Sequence, residues 1–278
     1  MIISEIKDGF GNQLFMYACG YALAKKKGTK LILDSTILDT SNLRDYELGG
    51  LNIKYDLHLY IPRFLPHFLK RITGKIFRLV LSLTCMKITE KTTTKVNKEI
   101  YKVNKSCRLI GYWQSEKYFI DYKDEIVSML TPNYKTSETF NKMKKNIEES
   151  ESVSLHIRRG DFVALGWCLD KNYYKKAIEY IISKTHNPTF YIFSDDIKYA
   201  QNFLEEFNIN KIYVNYDCIK PTIEDFLLMS NCKHNIIANS TYSWWGGYAN
   251  LNPKKIVCCP PREARDFFYP QDWVVISF

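Results

Sequence analysis

The residues best suited to chemistry in this chain form a cationic segment, His156-Ile157-Arg158-Arg159-Gly160-Asp161, which continues from an apolar run. An arginine guanidinium is planar and always charged, so it can donate two parallel hydrogen bonds to a phosphate or a carboxylate. Successive residues at a strand end point to opposite sides, and we therefore expect only one arginine to meet an anion. The other is expected to pair with Asp161 or another carboxylate. A plain salt bridge at a strand end is the alternative interpretation of the segment.

A second polar segment, Gly9-Phe10-Gly11-Asn12-Gln13-Leu14, follows a short apolar run and is predicted to be a loop that opens a helix. Backbone N–H groups and the helix dipole favour an anion at such a position. Leu14 stands where the dinucleotide-binding fingerprint requires its third glycine, which argues against a nicotinamide dehydrogenase. Asn12 and Gln13 add neutral donors and acceptors for hydroxyls or phosphate.

Two carboxylates, Asp195 and Asp196, follow another apolar run. Carboxylates at a strand end can accept hydrogen bonds from a guanine edge or ribose hydroxyls, or bind a divalent metal. Either residue can instead cap the helix that is predicted to follow. The pair therefore predicts a nucleotide contact, a metal site or a helix N-terminus.

A hydroxyl-rich segment lies near the C-terminus and contains Asn239, Ser240, Thr241 and Ser243, followed by two tryptophans. Serine and threonine hydroxyls serve both as helix N-caps and as donors to phosphate. Trp244 and its neighbour could form a wall for a base or a sugar, or could be core aromatics after a cap.

The elements around these segments indicate an α/β protein. Residues 2–6 and 31–34 are predicted strands that flank a helix at 14–27, which makes a parallel βαβ unit. Beyond residue 152, five short apolar strands (153–157, 189–193, 211–214, 234–238 and 255–259) alternate with helices (173–185, 198–207, 223–231 and 241–251). This pattern favours a doubly wound sheet, in which ligands bind beyond the carboxyl ends of the strands. The polar stretch 131–152 is the predicted boundary between two domains.

The charge of the chain limits the kinds of partner that it is expected to bind. The net charge is +9, which favours phosphate groups, anionic lipid or nucleic acid as a partner. Between residues 54 and 105 bases outnumber acids by twelve to three, and 69–86 is a predicted helix with basic residues along one face. This stretch is either a surface for anionic lipid or a solvated basic face.

The eight cysteines include no Cys-x-x-Cys pair, which favours reduced thiols over structural zinc, and Cys258-Cys259 is predicted to lie in a buried strand. The N-terminus lacks a signal-peptide pattern, and no apolar stretch approaches the ~18 residues needed to span a bilayer. We expect a cytoplasmic protein.

Five segments together resemble glycosyltransferase family 11, the α-1,2-fucosyltransferases, many of them bacterial. They occur in the order seen in that family: residues 9–15, residues 111–119 (Gly-Tyr-Trp-Gln-Ser-Glu-Lys-Tyr-Phe), residues 156–161, residues 193–196 and residues 239–247. The resemblance covers nearly the whole chain and is weakest between residues 54 and 105.

The resemblance implies a GT-B fold with two Rossmann-like domains facing a central cleft. Residues 1–150 would form an acceptor-side domain and residues 151–278 a GDP-sugar-binding domain. The activity would be inverting transfer of L-fucose from GDP-β-L-fucose to the 2-hydroxyl of a β-galactoside in a surface glycan such as O-antigen or capsule. No metal or cofactor is expected. A lipid-linked acceptor at the cytoplasmic face of the inner membrane is expected.

The resemblance also implies roles for individual residues. The catalytic group would be Arg158, Asp161 and Asn12, with an arginine at the β-phosphate and Asp161 either the general base or a carboxylate that orients the arginine. Residues expected to bind the donor are His156, Arg158, Arg159, Gly11, Asn12, Asp195, Asp196, Asn239, Ser240, Thr241 and Ser243. Residues expected to bind the acceptor are Gln13, Trp113 and Gln114.

Three alternatives remain open at the level of sequence. One is a glycosyltransferase of the same fold that uses a different GDP-sugar. Another is a metal-dependent glycosyltransferase in which Asp195 and Asp196 hold Mn²⁺ or Mg²⁺. The third is a non-enzymatic module that binds sugar or nucleic acid, although the chain lacks the aromatic and basic interleaving of single-strand binders.

Overall fold

The computed structural model describes residues 1–41, 44–62, 64–90, 95–103, 106–262 and 268–278. Contacts divide these residues into two units. The first is Met1–Thr131 joined by Phe268, and the second holds the remaining described residues from Pro132 onward. Residues 132–150 therefore belong to the second unit, whereas the sequence placed them before a boundary at residue 150.

The first unit contains a five-stranded sheet whose strands are all parallel. Its strands are β1 (Ile2–Glu5), β2 (Leu31–Asp34), β3 (Leu57–Leu59), β4 (Met86–Thr89) and β5 (Cys107–Ile110), in the spatial order β3-β2-β1-β5-β4. Its helices are α1 (Phe10–Lys26), α2 (Thr36–Ser41), α3 (His67–Thr84) and α4 (Lys123–Met129), with 3₁₀ turns at Leu48–Gly50, Lys98–Lys102, Glu116–Tyr118 and Ile120–Tyr122. The predicted βαβ unit at the N-terminus is confirmed.

Helix α1 begins earlier than its apolar spacing predicted. The backbone N–H groups of Asn12 and Gln13 both donate to the carbonyl of Gly9, at 2.9 and 3.0 Å, so helical bonding is already established in the first turn. The glycine-rich segment is therefore the first turn of a helix rather than a loop. After two lysines in the last turn, Gly28 adopts a φ of 57°, which ends the helix.

The second unit contains a six-stranded parallel sheet. Its strands are β6 (Ser152–Ile157), β7 (Thr189–Ser194), β8 (Asn210–Tyr213), β9 (His234–Ile236), β10 (Val257–Cys259) and β11 (Val274–Val275). Its helices are α5 (Glu138–Glu149), α6 (Gly160–Leu165), α7 (Lys171–Lys184), α8 (Ile197–Phe203), α9 (Pro221–Asn231) and α10 (Thr241–Ala249). The five predicted strands are present, and Cys258 and Cys259 are buried in β10 as predicted.

The strand order of this sheet defines where a ligand is expected. The order is β8-β7-β6-β9-β10-β11, so the chain leaves β6 toward one edge and later returns to β9 on its other side. In doubly wound sheets the ligand crevice lies at this reversal, beyond the carboxyl ends of the two strands. The segments that follow β6 and β9 are the arginine segment and the hydroxyl-rich segment. The predicted doubly wound architecture is thus confirmed, and two of the candidate segments meet at its reversal point.

Candidate functional site

Arg158 directly follows β6, and two carboxylates hold its guanidinium. Its Nη2 atom lies 2.5 Å from Asp161 Oδ1, and its Nη1 atom lies 2.8 Å from Asp195 Oδ2. The side chain of Arg158 is 22% exposed, so these charge-assisted bonds form in a partly desolvated place. The planar fork is therefore fixed in direction before any ligand arrives. The salt bridge that the sequence offered as an alternative is present, and it uses Arg158.

Arg159 occupies different surroundings. Its guanidinium carbon lies 3.6 Å from the ring centroid of Tyr199 on α8, and its Nη1 atom donates to Cys168 Sγ at 3.5 Å. In the described part of the chain no carboxylate forms a salt bridge with its side chain. The two arginines thus diverge, as predicted for neighbours at a strand end. Arg159 is held by a cation–π contact and Arg158 by carboxylates.

The contacts of His156 indicate on which side of the sheet Arg158 is expected. The His156 ring lies 5.7 Å from the ring of Tyr242 on α10. If the alternation of β6 continues past its end, we expect Arg158 on the same side as His156, toward α10, whereas the Arg159 guanidinium contacts Tyr199 on α8. Helix α10 begins immediately after β9. Arg158 is therefore the arginine expected on the side of the reversal point where α10 presents its N-terminus.

His156 itself is a buried neutral histidine. It is 4% exposed, and burial, assisted by the positive charge of Arg158, lowers its pKa to about 3. The phenol of Tyr174 donates to its backbone carbonyl at 3.1 Å, while its Nδ1 atom has no hydrogen-bond partner among the described residues. At neutral pH the ring therefore offers hydrogen bonds but no charge.

Gly160 allows the close approach between the arginine segment and β7. Its φ is +32°, and a Cβ atom placed there would lie 2.6 Å from Asp195 Oδ2. The same carboxylate accepts the backbone N–H of Arg159 at 2.8 Å through its Oδ1 atom. A side chain at position 160 would therefore displace the group that fixes Arg158.

The two carboxylates after β7, Asp195 and Asp196, form different contacts. Both oxygens of Asp195 bond to the arginine segment, whereas Asp196 caps α8 by accepting the backbone N–H of Tyr199 at 3.0 Å. The cap that the sequence offered as an alternative is confirmed for Asp196. Within the described ranges, no three His, Cys, Asp or Glu side chains cluster as metal ligands would.

Most side chains of the hydroxyl-rich segment after β9 form hydrogen bonds with nearby backbone groups. Ser240 caps α10 by accepting the backbone N–H of Tyr242 at 3.3 Å, and Ser243 Oγ accepts the backbone N–H of Ala238 at 3.2 Å. Thr241 is half-buried, and its hydroxyl forms no hydrogen bond with the described residues. Asn239 donates to the carbonyl of Trp167 at 2.8 Å, while its Oδ1 atom is buried without a partner. The Thr241 hydroxyl is thus available to a ligand, whereas the amide of Asn239 is occupied on its nitrogen and buried on its oxygen.

The two tryptophans that follow are core residues. Trp244 and Trp245 are both 0% exposed, and Trp244 stacks on Tyr248 with ring centroids 4.5 Å apart. They cannot form a wall for a base or a sugar, and the core interpretation is the correct one.

In the first unit, the loops after β1 and β5 meet at the carboxyl edge of the sheet. Gln114 Nε2 donates to Asn12 Oδ1 at 2.8 Å, and the Tyr112 hydroxyl donates to Asp8 Oδ2 at 2.5 Å. Asp8 and Trp113 have φ values of 59° and 54°, which are uncommon for residues with a side chain and cluster at functional sites. Because Gln114 occupies the Asn12 oxygen, the Asn12 amide nitrogen is left as a donor.

Two of the predicted acceptor-binding residues are buried. Gln13 is 0% exposed: its amide nitrogen donates to the carbonyls of Asp8 and Asp45, and its oxygen accepts the backbone N–H of Glu47. Trp113 is also 0% exposed and packs edge-on against Tyr118. Neither side chain is available to an acceptor, so both assignments need correction. Their role is to hold the loops that carry Asn12 and Gln114.

Sequence reasoning missed a buried charge cluster beside this edge. Arg108 on β5 lies 2.9 Å from Glu5 Oε2 and 3.0 Å from Asp34 Oδ2, and the three side chains are at most 7% exposed. Asp34 also accepts the hydroxyl of Thr36 at 2.7 Å. The acids end β1 and β2, but β5 was not predicted, so the sequence offered no partner for them. The pair of Asp8 and Tyr112 was missed for the same reason, as was Glu90, whose Oε2 atom accepts the backbone N–H of Tyr112 at 2.8 Å.

Known proteins resemble this chain over most of its length. Residues 86–276 match the family described as Glycosyl transferase family 11. An alpha-1,2-colitosyltransferase of Escherichia coli is 32% identical over an alignment that covers 100% of this chain and 99% of the relative. The O-antigen biosynthesis glycosyltransferase WbnK of Escherichia coli is 34% identical and covers 93% of each chain.

Solved structures share the fold at low identity. The fucosyltransferase NodZ from Bradyrhizobium is 14% identical, with a TM-score of 0.50 over 88% of this chain and 91% of that one. FUT1 of Arabidopsis thaliana is 10% identical, with a TM-score of 0.50 over 97% of this chain and 74% of that one. The predicted GT-B type of α/β fold is therefore confirmed.

Proposed function

This chain belongs to glycosyltransferase family 11, and we propose that it transfers L-fucose from GDP-β-L-fucose to the 2-hydroxyl of a β-galactoside, with inversion at the sugar. The observation that carries the proposal is the guanidinium of Arg158, aligned by Asp161 and Asp195 at the reversal point of the second sheet. A cationic fork fixed at that position suits a diphosphate leaving group.

The second unit would bind the donor. Arg158 would receive the charge that develops on the β-phosphate as the bond to the sugar breaks, which is the step that needs electrostatic stabilisation. Backbone N–H groups at the start of α10, with the hydroxyl of Thr241, would add neutral donors. Asp195 and Asp161 would position Arg158 rather than touch the phosphate, because like charges repel.

The first unit would supply the acceptor-side groups. Gln114 fixes the amide of Asn12, whose nitrogen has no hydrogen-bond partner among the described residues and is a suitable donor to the acceptor sugar.

The acceptor hydroxyl must lose its proton during transfer. Asp161 is 51% exposed although paired with Arg158, and it remains our proposed base. A base that is paired with a cation is weak, so an arginine-orienting role is the competing assignment.

The reaction would need no metal, because the cation of Arg158 takes the place at the leaving group that a metal ion fills in other glycosyltransferases. Asp195 and Asp196 are engaged with the arginine segment and with the N-terminus of α8, which argues against their use as metal ligands. Full transfer after dialysis against EDTA is the expected result. Loss of transfer that returns with Mn²⁺ or Mg²⁺ would favour the metal-dependent alternative.

A second candidate keeps the fold and the leaving group but changes the sugar. The colitosyltransferase of Escherichia coli, at 32% identity over 100% of this chain, favours colitose as the sugar that is transferred. Colitose is L-fucose without its 3-hydroxyl, so the two donors differ by one polar group. A site that hydrogen-bonds this hydroxyl would reject colitose strongly, whereas an apolar site would discriminate little.

The acceptor is proposed to be a galactose-containing glycan of the cell surface, assembled on a lipid carrier at the cytoplasmic face of the inner membrane. The O-antigen biosynthesis glycosyltransferase WbnK, at 34% identity, supports this class of acceptor. Nucleic acid is not an expected partner.

The decisive experiment compares donors and acceptors in parallel. Purified protein is incubated with GDP-fucose, GDP-colitose or GDP-mannose and a panel of β-galactosides, and products are analysed by mass spectrometry and NMR. A kcat/KM that is highest for GDP-fucose, with an α-1,2 linkage in the product, is expected. Higher kcat/KM for GDP-colitose would establish the second candidate. No product with any donor would refute both.

A further inference from the structure

Helix α3 (His67–Thr84) exposes a continuous apolar face. Seven apolar side chains on it, from Phe68 to Leu83, are between 37% and 79% exposed: Phe68, Leu69, Ile72, Ile76, Leu79, Val80 and Leu83. At about 100° per residue these seven positions fall within an arc of roughly 120°, and they extend over roughly 20 Å of helix. Scattered apolar residues are normal on a protein surface, but a contiguous ridge of this kind marks an interaction site.

The opposite face of α3 is anchored to the first unit. Leu81 is 9% exposed and belongs to the core cluster of Ile3, Ile32 and Cys85. A Cβ atom on the buried Gly74 would lie 3.0 Å from the Thr40 side chain and 3.3 Å from that of Ile61. The helix is therefore held by its inner face, and the apolar ridge is a separate surface that the fold of the first unit leaves uncovered among the described residues.

The basic residues beside this ridge indicate which kind of surface can bind it. Helix α3 contains no Asp or Glu, and Arg71, Lys75 and Arg78 occupy the adjoining arc of about 60° on one side of the ridge. Arg71 and Lys75 are exposed. A second copy of the chain would bring its own bases against these three, and like charges across an interface are unfavourable. An anionic bilayer surface satisfies both features, because lipid headgroups pair with the bases while the acyl region receives the ridge.

We propose that α3 docks this protein on an anionic lipid bilayer, lying in the plane of the interface with its apolar ridge inserted and Arg71, Lys75 and Arg78 at the headgroups. No helix in the described part of the chain combines the length and apolar character that crossing a bilayer requires. The attachment is therefore interfacial. It is independent of which sugar the enzyme transfers, because it concerns a surface of the first unit rather than the site.

The test is vesicle flotation of the full chain, with phosphatidylcholine vesicles and with vesicles containing 30 mol% phosphatidylglycerol. We expect flotation with the anionic vesicles and weaker flotation in 0.5 M NaCl, because salt screens the bases. The variant Ile72→Gln/Leu79→Gln/Leu83→Gln should lower the partition coefficient roughly tenfold or more, since less apolar surface is buried in the bilayer. These positions are exposed, so the fold should persist, which circular dichroism verifies.

A charge variant and a matched control complete the design. Arg71→Gln/Lys75→Gln should reduce the preference for anionic vesicles roughly tenfold or more while the ridge remains. Ile120→Gln/Leu251→Gln alters two apolar residues that are 50% and 73% exposed elsewhere, and it should bind as the unmodified chain does. Equal loss in this control, or no flotation of the unmodified chain at low salt, would overturn the proposal. So would a dimer in analytical ultracentrifugation that the triple variant abolishes, since the ridge would then be an interface between copies.

Discussion

The Asp195 carboxylate lies 2.8 Å from the Nη1 atom of Arg158 and at the same time accepts the backbone N–H of the next residue. One side chain at the end of β7 thus fixes both the direction of the guanidinium and the path of the chain that carries it. A guanidinium carries five N–H donors, so a diphosphate can bind the donors of Arg158 that Asp195 leaves unused while Asp195 keeps the side chain in position.

Asp195→Asn should lower kcat/KM for donor by about 10- to 100-fold, because a misplaced catalytic group costs on that order. The amide keeps an acceptor for the Arg159 N–H but presents no charge to Arg158. Steady-state transfer assays at saturating acceptor measure the effect. The same substitution at Asp170, which caps α7 by accepting the backbone N–H of Asn172 at 2.7 Å, is the control and should be nearly silent because asparagine is also a good cap. Equal kinetics for both variants would contradict a positioning role for Asp195.

The two arginines should respond differently to substitution. Arg158→Lys should lower kcat by about 100- to 1,000-fold, because a point charge cannot replace a fork aimed at the leaving group. Arg159→Lys loses a guanidinium that lies 3.6 Å from the Tyr199 ring, and its main effect should be a loss of about 0.5–1 kcal/mol in the free energy of unfolding. Steady-state transfer assays measure kcat, and isothermal titration with GDP and urea unfolding then separate a loss of donor binding from a loss of stability. A larger loss of GDP affinity in Arg159→Lys would reverse our assignment.

Gly160→Ala should damage the site more than the fold. Its Cβ atom would lie 2.6 Å from Asp195 Oδ2, so the carboxylate must move away from Arg158. Gly166 is the matched control, because its φ of +67° carries the same kind of backbone strain with nothing within 4 Å of the new Cβ atom. Both variants should lose about 1–2 kcal/mol of stability. Transfer should fall at least about tenfold in Gly160→Ala alone.

Strands were predictable from the sequence where the pattern of apolar residues is strong, and were missed where it is weak. The strands of the second unit were predictable because β7 contains a run of four buried apolar residues, 190–193, and β6 has an apolar residue at every second position (Val153, Leu155 and Ile157). In the first unit, β4 buries one residue of four and β3 buries none, so neither carries the apolar pattern of a central strand. Without β5 in the prediction, Arg108 had no partner and Tyr112 no visible link to Asp8.

The sequence also identified only some of the site residues correctly. Arg158 was predicted from residue type and position, and Asn12 and Gln114 were assigned to the site through the family resemblance; the structure gives each a polar contact. Gln13 and Trp113 share the motifs of these residues but face inward, and only three-dimensional packing distinguishes them. A motif identifies the loop that carries a site, whereas the direction of each side chain depends on contacts distant in sequence.

The buried cluster of Arg108, Glu5 and Asp34 should contribute strongly to the free energy of unfolding of the first unit. Arg108→Met leaves two acids without their cation in a place where they are at most 7% exposed, and it should cost about 3–5 kcal/mol. Lys102→Met is the control: it breaks an ion pair with Glu99 whose partners are 72% and 67% exposed, and it should cost no more than about 0.5 kcal/mol. Urea denaturation at pH 7 measures both. A small loss in Arg108→Met would mean that water or protonation compensates the acids.

His156 should make stability depend on pH. Burial, with the charge of Arg158, lowers its pKa in the folded chain to about 3, against an ordinary value of 6.5. Between these two values the unfolded chain binds a proton that the folded chain does not, so this contribution is complete above pH 6.5 and is lost as the pH falls toward 3. The slope cannot exceed about 1.4 kcal/mol per pH unit for one proton.

His156→Gln removes this slope, because glutamine does not titrate. The free energy of unfolding is measured in urea at pH 7, 6 and 5 for the unmodified chain and for the variant, so that all other titrating groups cancel in the difference. His186→Gln provides a comparison at an exposed histidine. The advantage of the unmodified chain over His156→Gln should shrink steadily from pH 6.5 downward. Parallel curves for the two proteins would show that His156 titrates at the same pH in the folded and unfolded chains, which would contradict a buried histidine with a lowered pKa.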